Sequence, residues 1–309
     1  MEKICLGVDI GGTSVKLGAV APDGSVRFFR EESVCFDGYR TPILDTVCTA
    51  VGALLRDCRA AGIEPAGIGV SATGQIDTAA GIVAGTGGNL PGWEGSRIRE
   101  RLDAAFALPV TVANDANCMC LGEAWVGAAR GCTDVIGITV GTGLGGGILT
   151  GGRLLEGASG LGGELGHLPI HALDGVRCTC GNAGCWERYA STTALVRRAR
   201  QADPQLCDGR SIFAAAAAGR PEVCAVLDGW IDELAAGLIG LTHLFNPQRI
   251  LIGGGVSAQQ ALLIEPLAQR VRAGVMPAFA RDLTLCAAAL GNQAGLIGGA
   301  AYLYRSGLI

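Results

Sequence analysis

Hydrophobic and polar positions along the chain follow an order that occurs twice. Residues 4–10 are an apolar run with Asp9 at its close; Gly11, Gly12 and Thr13 follow, then a second apolar run at 15–20 and the turn Pro22-Asp23-Gly24. This order predicts a hairpin with glycines at its bend. It returns at 135–140, followed by a glycine-rich stretch from Gly141, Thr142 and Gly143 to Gly147, a strand at 148–149 and a turn at Gly151-Gly152. The two stretches read as copies of one unit. Residues 109–113 predict a strand and 116–129 a helix, with Met119, Leu121, Ala124, Trp125 and Ala128 at its apolar positions. Later, 248–252 predicts a strand that runs into Gly253, Gly254 and Gly255, and 292–304 a helix rich in Gly and Ala. Strands and helices in such succession place the chain in the α/β class.

At 309 residues the chain is long enough for two domains with separate cores. A net charge of −4 without any Lys/Arg block argues against nucleic acid as the main partner. The first residues enter a strand-like run directly, with no basic segment, apolar core and cleavage site, so no signal peptide is expected. The most apolar later stretch, 234–245, is shorter than a membrane span and contains His243, so no membrane association is expected either. Thirteen cysteines, an odd number and mostly scattered, fit free thiols in a reducing cytoplasm.

The candidate chemistry lies in the glycine turns and in a few polar clusters. Glycines at 11, 12, 141 and 143 remove Cβ atoms, so that backbone N–H groups can approach an anion, and Thr13 and Thr142 offer hydroxyls to phosphate oxygens. Two such turns suit a nucleotide polyphosphate, although a tight barrel hairpin needs the same glycines. Neither is a Walker A loop or a dinucleotide fingerprint, because GxxxxGK[ST] is absent and both turns lead into strands. Asp9 beside phosphates makes sense with Mg2+ between them; its alternative is a cap on the turn. Lys16 either adds charge to the phosphates or faces solvent. Gly254 and Gly255 suit the adenosine end of a nucleotide, or equally a strand-to-helix turn. Asn114 and Asp115 fall at a strand-to-helix junction, where α/β proteins bind ligands. Asp115 can take the proton of a hydroxyl that attacks phosphorus, with Asn114 orienting that hydroxyl. The competing role for Asp115 is a helix cap.

Asn89, Glu164 and His167 are polar side chains on Gly-rich loops, the kind that a sugar's hydroxyls require. Residues 167–187 gather His167, Cys178, Cys180 and Cys185 into one short stretch. That is the spacing of a structural zinc site, with a closed shell of three thiolates and one imidazole and no open position for substrate. Glu164 and Glu187 flank it, so a metal-pinned loop can aim carboxylates at a ligand.

With DIGGTSVK near the start, NDAN at 114–117, GTGLGGGI at 141–148, GELGH at 163–167, CTCGNAGCWE at 178–187 and LIGGGVS at 251–257, the chain resembles the ROK family of sugar kinases from end to end. The resemblance implies an α/β protein with the two-domain actin-like ATPase fold of the hexokinase and ribonuclease H-like group, ATP and sugar meeting in an interdomain cleft. Residues 1–114 with 292–309 would form the N-terminal domain and 115–291 the C-terminal one. The implied reaction is ATP-dependent phosphorylation of a hexose, glucose at its C6 hydroxyl. Kinases of N-acetylmannosamine, N-acetylglucosamine or fructose are alternatives, as is a catalytically silent sugar sensor. Asp115 would be the base; Asn89, Asn114, Glu164, His167 and Glu187 would hold the sugar; His167, Cys178, Cys180 and Cys185 would hold zinc, with His171 a nearby rival. ATP and Mg2+ would fall to Asp9 and the glycine turns, where Gly143→Val is expected to weaken ATP more than sugar. A homodimer is implied too. Thr73 stands where a proline is more usual, in a loop the resemblance puts near the sugar.

Overall fold

The computed structural model of the protein describes residues 3–86 and 90–309. Asn89 lies outside them. The chain divides into two compact units, the first made of Met1–Gly131, Leu154–Gly162 and Leu290–Ile309, the second of Cys132–Arg153 and Gly163–Ala289.

In the first unit the strands are β1 (Cys5–Ile10), β2 (Ser14–Val20), β3 (Val26–Ser33), β4 (Ile68–Ala72), β5 (Gln75–Asp77), β6 (Ile82–Gly85) and β7 (Val110–Asn114). The main sheet has the order β3-β2-β1-β4-β7, and β5 and β6 form a separate hairpin. The second unit contains β8 (Val135–Val140), β9 (Leu144–Thr150), β10 (Arg153–Leu154), β11 (Arg249–Gly253) and β12 (Thr284–Ala287), with β10, which reaches the boundary, at the edge of the order β10-β9-β8-β11-β12. Each sheet is therefore built alike. An antiparallel hairpin with a three-residue turn, β1/β2 or β8/β9, is extended by parallel pairing of its first strand, β1 with β4 and β8 with β11. The repeat expected from the glycine turns is a repeat of topology.

One expectation changes. The glycine run 144–147 is a strand, β9, and not a loop that precedes one. An ideal Cβ on Gly146 would lie 2.4 Å from the Leu165 side chain, so the strand keeps a bare backbone where the next segment packs on it.

β1 alternates its faces. Leu6, Val8 and Ile10 join the larger core beneath helix Ile43–Ala60, which contributes Val47, Val51 and Leu54. Cys5 faces a smaller cluster with Leu296, Ile297 and Leu303 of helix Ala294–Arg305. That helix lies close to helix Asp115–Val126: a Cβ on Gly298 would sit 1.7 Å from the Cys118 carbonyl oxygen, which only glycine avoids. This packing keeps residues 115–131 in the first unit, where the sequence placed the boundary at 114. Segment 154–162 also belongs there. The Tyr302 hydroxyl donates to Glu156 Oε1 at 2.5 Å, and Asn117 Nδ2 donates to the Gly162 carbonyl at 3.4 Å.

Glu123, fully buried, secures the same region. Its Oε2 accepts the Ala128 N–H and its Oε1 accepts the Leu290 N–H, both at 2.7 Å, so one carboxylate fastens the chain near two of its four passages from one unit to the other. Glu123→Ala would remove the carboxylate acceptor of two half-buried N–H groups at a cost of about 1–3 kcal/mol each. A melting curve is expected to show about 2–5 kcal/mol of lost stability; a loss below about 1 kcal/mol would mean that both groups find other partners.

Candidate functional site

In the first unit the candidates sit at the carboxyl ends of three parallel strands. The register aligns Asp9 of β1 with Ser71 of β4, and Ser71 with Ala113 of β7, in one row across the sheet. Adjacent strands lie about 4.8 Å apart, so Asp9 and Ala113 are on the order of 10 Å apart, with Asp115 two residues further on. Side chains agree with the register. Ser71 Oγ donates to Asp9 Oδ1 at 2.6 Å, and the buried Cys118 thiol is pushed well up by burial and then by the neighbouring Asp9 charge, with Asp115 adding to it. Burial raises the Asp9 carboxyl, while the Ser71 hydroxyl and Lys16 oppose the rise. Lys16 pairs in register with Asp9 on one side and Glu31 on the other. The turn is shaped by Gly11 N–H donating to the Ser14 carbonyl and by the Tyr39 hydroxyl donating to the Gly12 carbonyl, both at 2.9 Å, with Thr13 exposed.

The strand-to-helix junction divides its roles between two residues. Asn114 is the helix cap: its Oδ1 accepts the N–H groups of Ala116 and Asn117, and its Nδ2 donates to the Gly74 carbonyl at 2.9 Å. Asp115 is the first helical residue, half-buried, with Oδ1 accepting the Ala116 N–H at 2.8 Å. Capping therefore does not depend on Asp115. The Thr73 loop is pinned by the buried Trp93 indole, which donates to the Thr73 carbonyl at 2.9 Å.

In the second unit the structure brings Glu164, His167 and Glu187 together. His167 Nε2 is 3.9 Å from Glu164 Oε2. Burial raises the Glu164 carboxyl, His167 pulls it down, and Glu187 pushes it up again. Glu187 Oε2 also accepts the Leu144 N–H at 3.1 Å, immediately after the second glycine turn. A Cβ on Gly143 would stand 2.5 Å from that same Oε2. Gly143→Val is thus expected to displace Glu187, and in ATP and sugar titrations both affinities should fall, against the expectation that ATP would suffer more. Sugar affinity within twofold of the parent would show that Glu187 is not needed for it.

Around the cysteine loop, one donor atom from each of His167, Cys178, Cys180 and Cys185 lies within 4.8 Å of the others. The His167 Nδ1 to Cys178 Sγ distance is 3.7 Å and the Cys180 to Cys185 Sγ distance 3.6 Å. A tetrahedral zinc with Zn–S near 2.3 Å requires ligand separations of about 3.6–3.8 Å, which these two pairs meet, and the donor types of the set suit that ion. His171 does not join it; its Nε2 meets Glu233 at 2.8 Å and its ring stacks on Tyr189.

The same unit holds a cavity of ≈ 970 Å³ lined by Gly141, Thr142, Gly255 and Val256, with Phe213 and Val196 among its apolar residues. Gly254 is not in the lining: at φ +88° it turns the chain against Val140. The cavity's other wall begins at helix Thr192–Ala202, where Thr192 N–H donates to the Gly141 carbonyl and Thr193 Oγ1 to the Thr142 carbonyl. The sequence reading missed this wall. Its signal was the Ser191-Thr192-Thr193 run that follows the cysteine loop, a cap signature beside the glycine turn.

Fold and repeated hairpin topology define the class, an α/β protein of the actin-like ATPase fold. Residues 5–306 match the ROK family, and the chain belongs to it. It is 32% identical to a glucokinase of Thermotoga maritima and 35% identical to a glucokinase of Streptomyces coelicolor, covering 96% of each chain in both cases. A ROK family glucokinase from Streptomyces griseus, solved in complex with glucose and AMPPNP, superposes with a TM-score of 0.82 at 34% identity, over 98% of this chain and 100% of that one.

Proposed function

We propose that the protein is an ATP-dependent glucokinase that transfers the γ-phosphoryl group of ATP to the C6 hydroxyl of glucose. The observation that carries the reading is Asp115, a carboxylate at the mouth of the parallel strands that the helix does not need as its cap. The glucokinase relatives at 32% and 35% identity support the substrate and the donor. Asp115 takes the proton from the sugar hydroxyl as its oxygen forms a bond to phosphorus; the bond to the bridging β,γ oxygen breaks and ADP leaves. Glu164, His167 and Glu187 hold sugar hydroxyls, and Asn114 fixes the start of the helix that carries the base. Asn89 is proposed as a further sugar contact on the resemblance alone.

The nucleoside fits the cavity beside Gly255 and Val256, with the phosphates toward Gly141 and Thr142. Gly11, Gly12 and Thr13 offer the backbone N–H groups and the hydroxyl of the first turn to phosphate oxygens, and Lys16 lends its charge to Asp9's surroundings. Asp9, a buried carboxylate with one oxygen engaged by Ser71, fits a Mg2+ ligand reached directly or through water; that ion would neutralise phosphate charge. Zinc in the Cys178, Cys180, Cys185 and His167 set would be structural, holding the loop from which Glu187 emerges.

None of the thirteen cysteines is in a disulfide, and the ten outside the cluster fit free thiols in a reducing cytoplasm. Among the described residues no helix is long and apolar enough to cross a membrane. The homodimer is proposed from the family resemblance and is checked by sedimentation. The kinase reading is tested by coupled ADP release with glucose, N-acetylmannosamine, N-acetylglucosamine and fructose. Turnover is expected with glucose foremost; sugar binding without turnover on any of them would replace the kinase with a sensor.

A further inference from the structure

The cavity of the second unit is strongly cationic on one side. Arg188, Arg197, Arg200 and Arg210 line it against a single acid, Asp208, and that acid already accepts the Ser211 N–H at 2.7 Å as the cap of its own helix. Two of the four arginines stand out by burial, Arg188 and Arg197 being half-buried where Arg200 and Arg210 are exposed. Arg188 Nε is buried without a hydrogen-bond partner, and among the described residues its side chain makes no hydrogen bond or ion pair. Arg197 donates through one terminal nitrogen to the Arg188 carbonyl at 2.7 Å, and it has no carboxylate partner among the described residues. Burial depresses Arg197, and the neighbouring Arg188 and Arg198 charges depress it further.

Arg198, next in sequence, shows the contrast. It points to the other side of its helix and pairs with Glu233 at 2.7 Å. So the acid available in this region serves Arg198, and Arg188 and Arg197, the two less exposed of the four arginines that line the cavity, have no carboxylate partner among the described residues. Partly desolvated like charges side by side are unfavourable unless an anion completes them. Guanidinium forks match phosphate oxygens in pairs, which a single lysine does not. Arg188 also follows directly on Glu187, the residue that accepts the N–H just beyond the glycine turn Gly141–Gly143, so the cationic pair and the turn border the same space.

We propose that Arg188 and Arg197 hold the phosphate chain of the donor nucleotide, acting as positioning residues that supply the positive charge the glycine turn of this unit lacks. The inference rests on the reading of the cavity as the donor site, and it adds what selects the donor: a polyphosphate anion is recognised here by its charge, separately from the nucleoside.

The test is equilibrium binding of ATP, adenosine and inorganic tripolyphosphate to the full chain and to Arg188→Gln, Arg197→Gln and Arg197→Lys, each at two salt concentrations. Arg188→Gln removes no hydrogen bond within the protein, so it is the variant least exposed to misfolding. Loss of one charged contact is expected to weaken ATP and tripolyphosphate about tenfold to a hundredfold, to flatten their salt dependence, and to leave adenosine within threefold. Arg197→Lys should recover part of what Arg197→Gln loses. In the coupled assay KM for ATP should rise while KM for the sugar holds. Equal losses for adenosine and ATP would make the pair scaffold, and unchanged ATP affinity in both Gln variants would overturn the proposal outright. A parent protein that binds ATP and tripolyphosphate yet phosphorylates no sugar would sink the kinase reading and leave the arginine assignment standing.

Discussion

Asp115→Asn is expected to lower kcat for glucose about a thousandfold, within the range of about 10²–10⁴ that a positioned general base contributes. Glucose affinity should stay within an order of magnitude, and the melting temperature should hardly move. The last expectation follows from the division of labour at the junction. Asn114 accepts the two N–H groups that a cap must satisfy and is itself tied to Gly74, so an amide at 115 removes no bond on which the helix depends. It does remove a negative charge from the first turn of the helix, which is worth about 0.3–1 kcal/mol. A coupled ADP assay, a glucose titration and a thermal melt on the same preparation separate the cases. Turnover within tenfold of the parent would place the base elsewhere; collapse of the fold would make Asp115 a structural residue after all.

That Asn114 and not Asp115 caps the helix illustrates what a sequence leaves open. Both residue types are favoured caps, and one position's difference decides which of them takes the capping bonds. The junction itself was legible because an apolar run gives way to a helical pattern there. The repeat was legible for a similar reason: two apolar runs ending in short glycine turns, at 11–13 and 141–143, fix both hairpins, and each is then extended by a parallel strand. Its limits show at residues 144–147, where glycines signalled a loop and the structure has strand. Composition records that a side chain is missing at Gly146; only the packed structure shows that Leu165 occupies the space.

Long-range features were the least legible. The unit boundary moved from 114 to 131 because helix Asp115–Val126 packs on a helix nearly 180 positions later in the chain, through the Gly298 contact at the Cys118 carbonyl. The cationic wall of the cavity was hidden likewise. Arg188, Arg197, Arg200 and Arg210 are spread over three helical segments, and in sequence they form no block of charge. His167 was chosen over His171 by its GELGH context, and the partners of the two rings show the physical difference: Nδ1 of His167 meets a thiol, whereas His171 is spent on Glu233 and Tyr189.

Cys180→Ser is expected to have the second large effect, on metal content and on sugar affinity together. The parent should carry one zinc per chain by elemental analysis, and the variant close to none. Structural zinc contributes about 10–16 kcal/mol in isolated finger peptides, so its loss should unfold segment 167–187 locally. The unit around it has its own core, with Trp230 and Leu234 fully buried, and that core should persist as a cooperative melt at lower temperature. Glu187 stands two residues beyond Cys185, and His167 is itself in the cluster. Losing the loop should therefore scatter the two or three hydrogen bonds to the sugar proposed for these residues, at about 0.5–1.5 kcal/mol each, or on the order of a hundredfold in affinity. ATP should lose less, since Gly141 and Thr142 remain tied to helix Thr192–Ala202 by hydrogen bonds of 2.8 and 2.7 Å. A parent free of zinc, or a zinc-free variant with undiminished glucose affinity, would break the link between the metal loop and the sugar, and Glu187 would then owe its position to the Leu144 N–H alone.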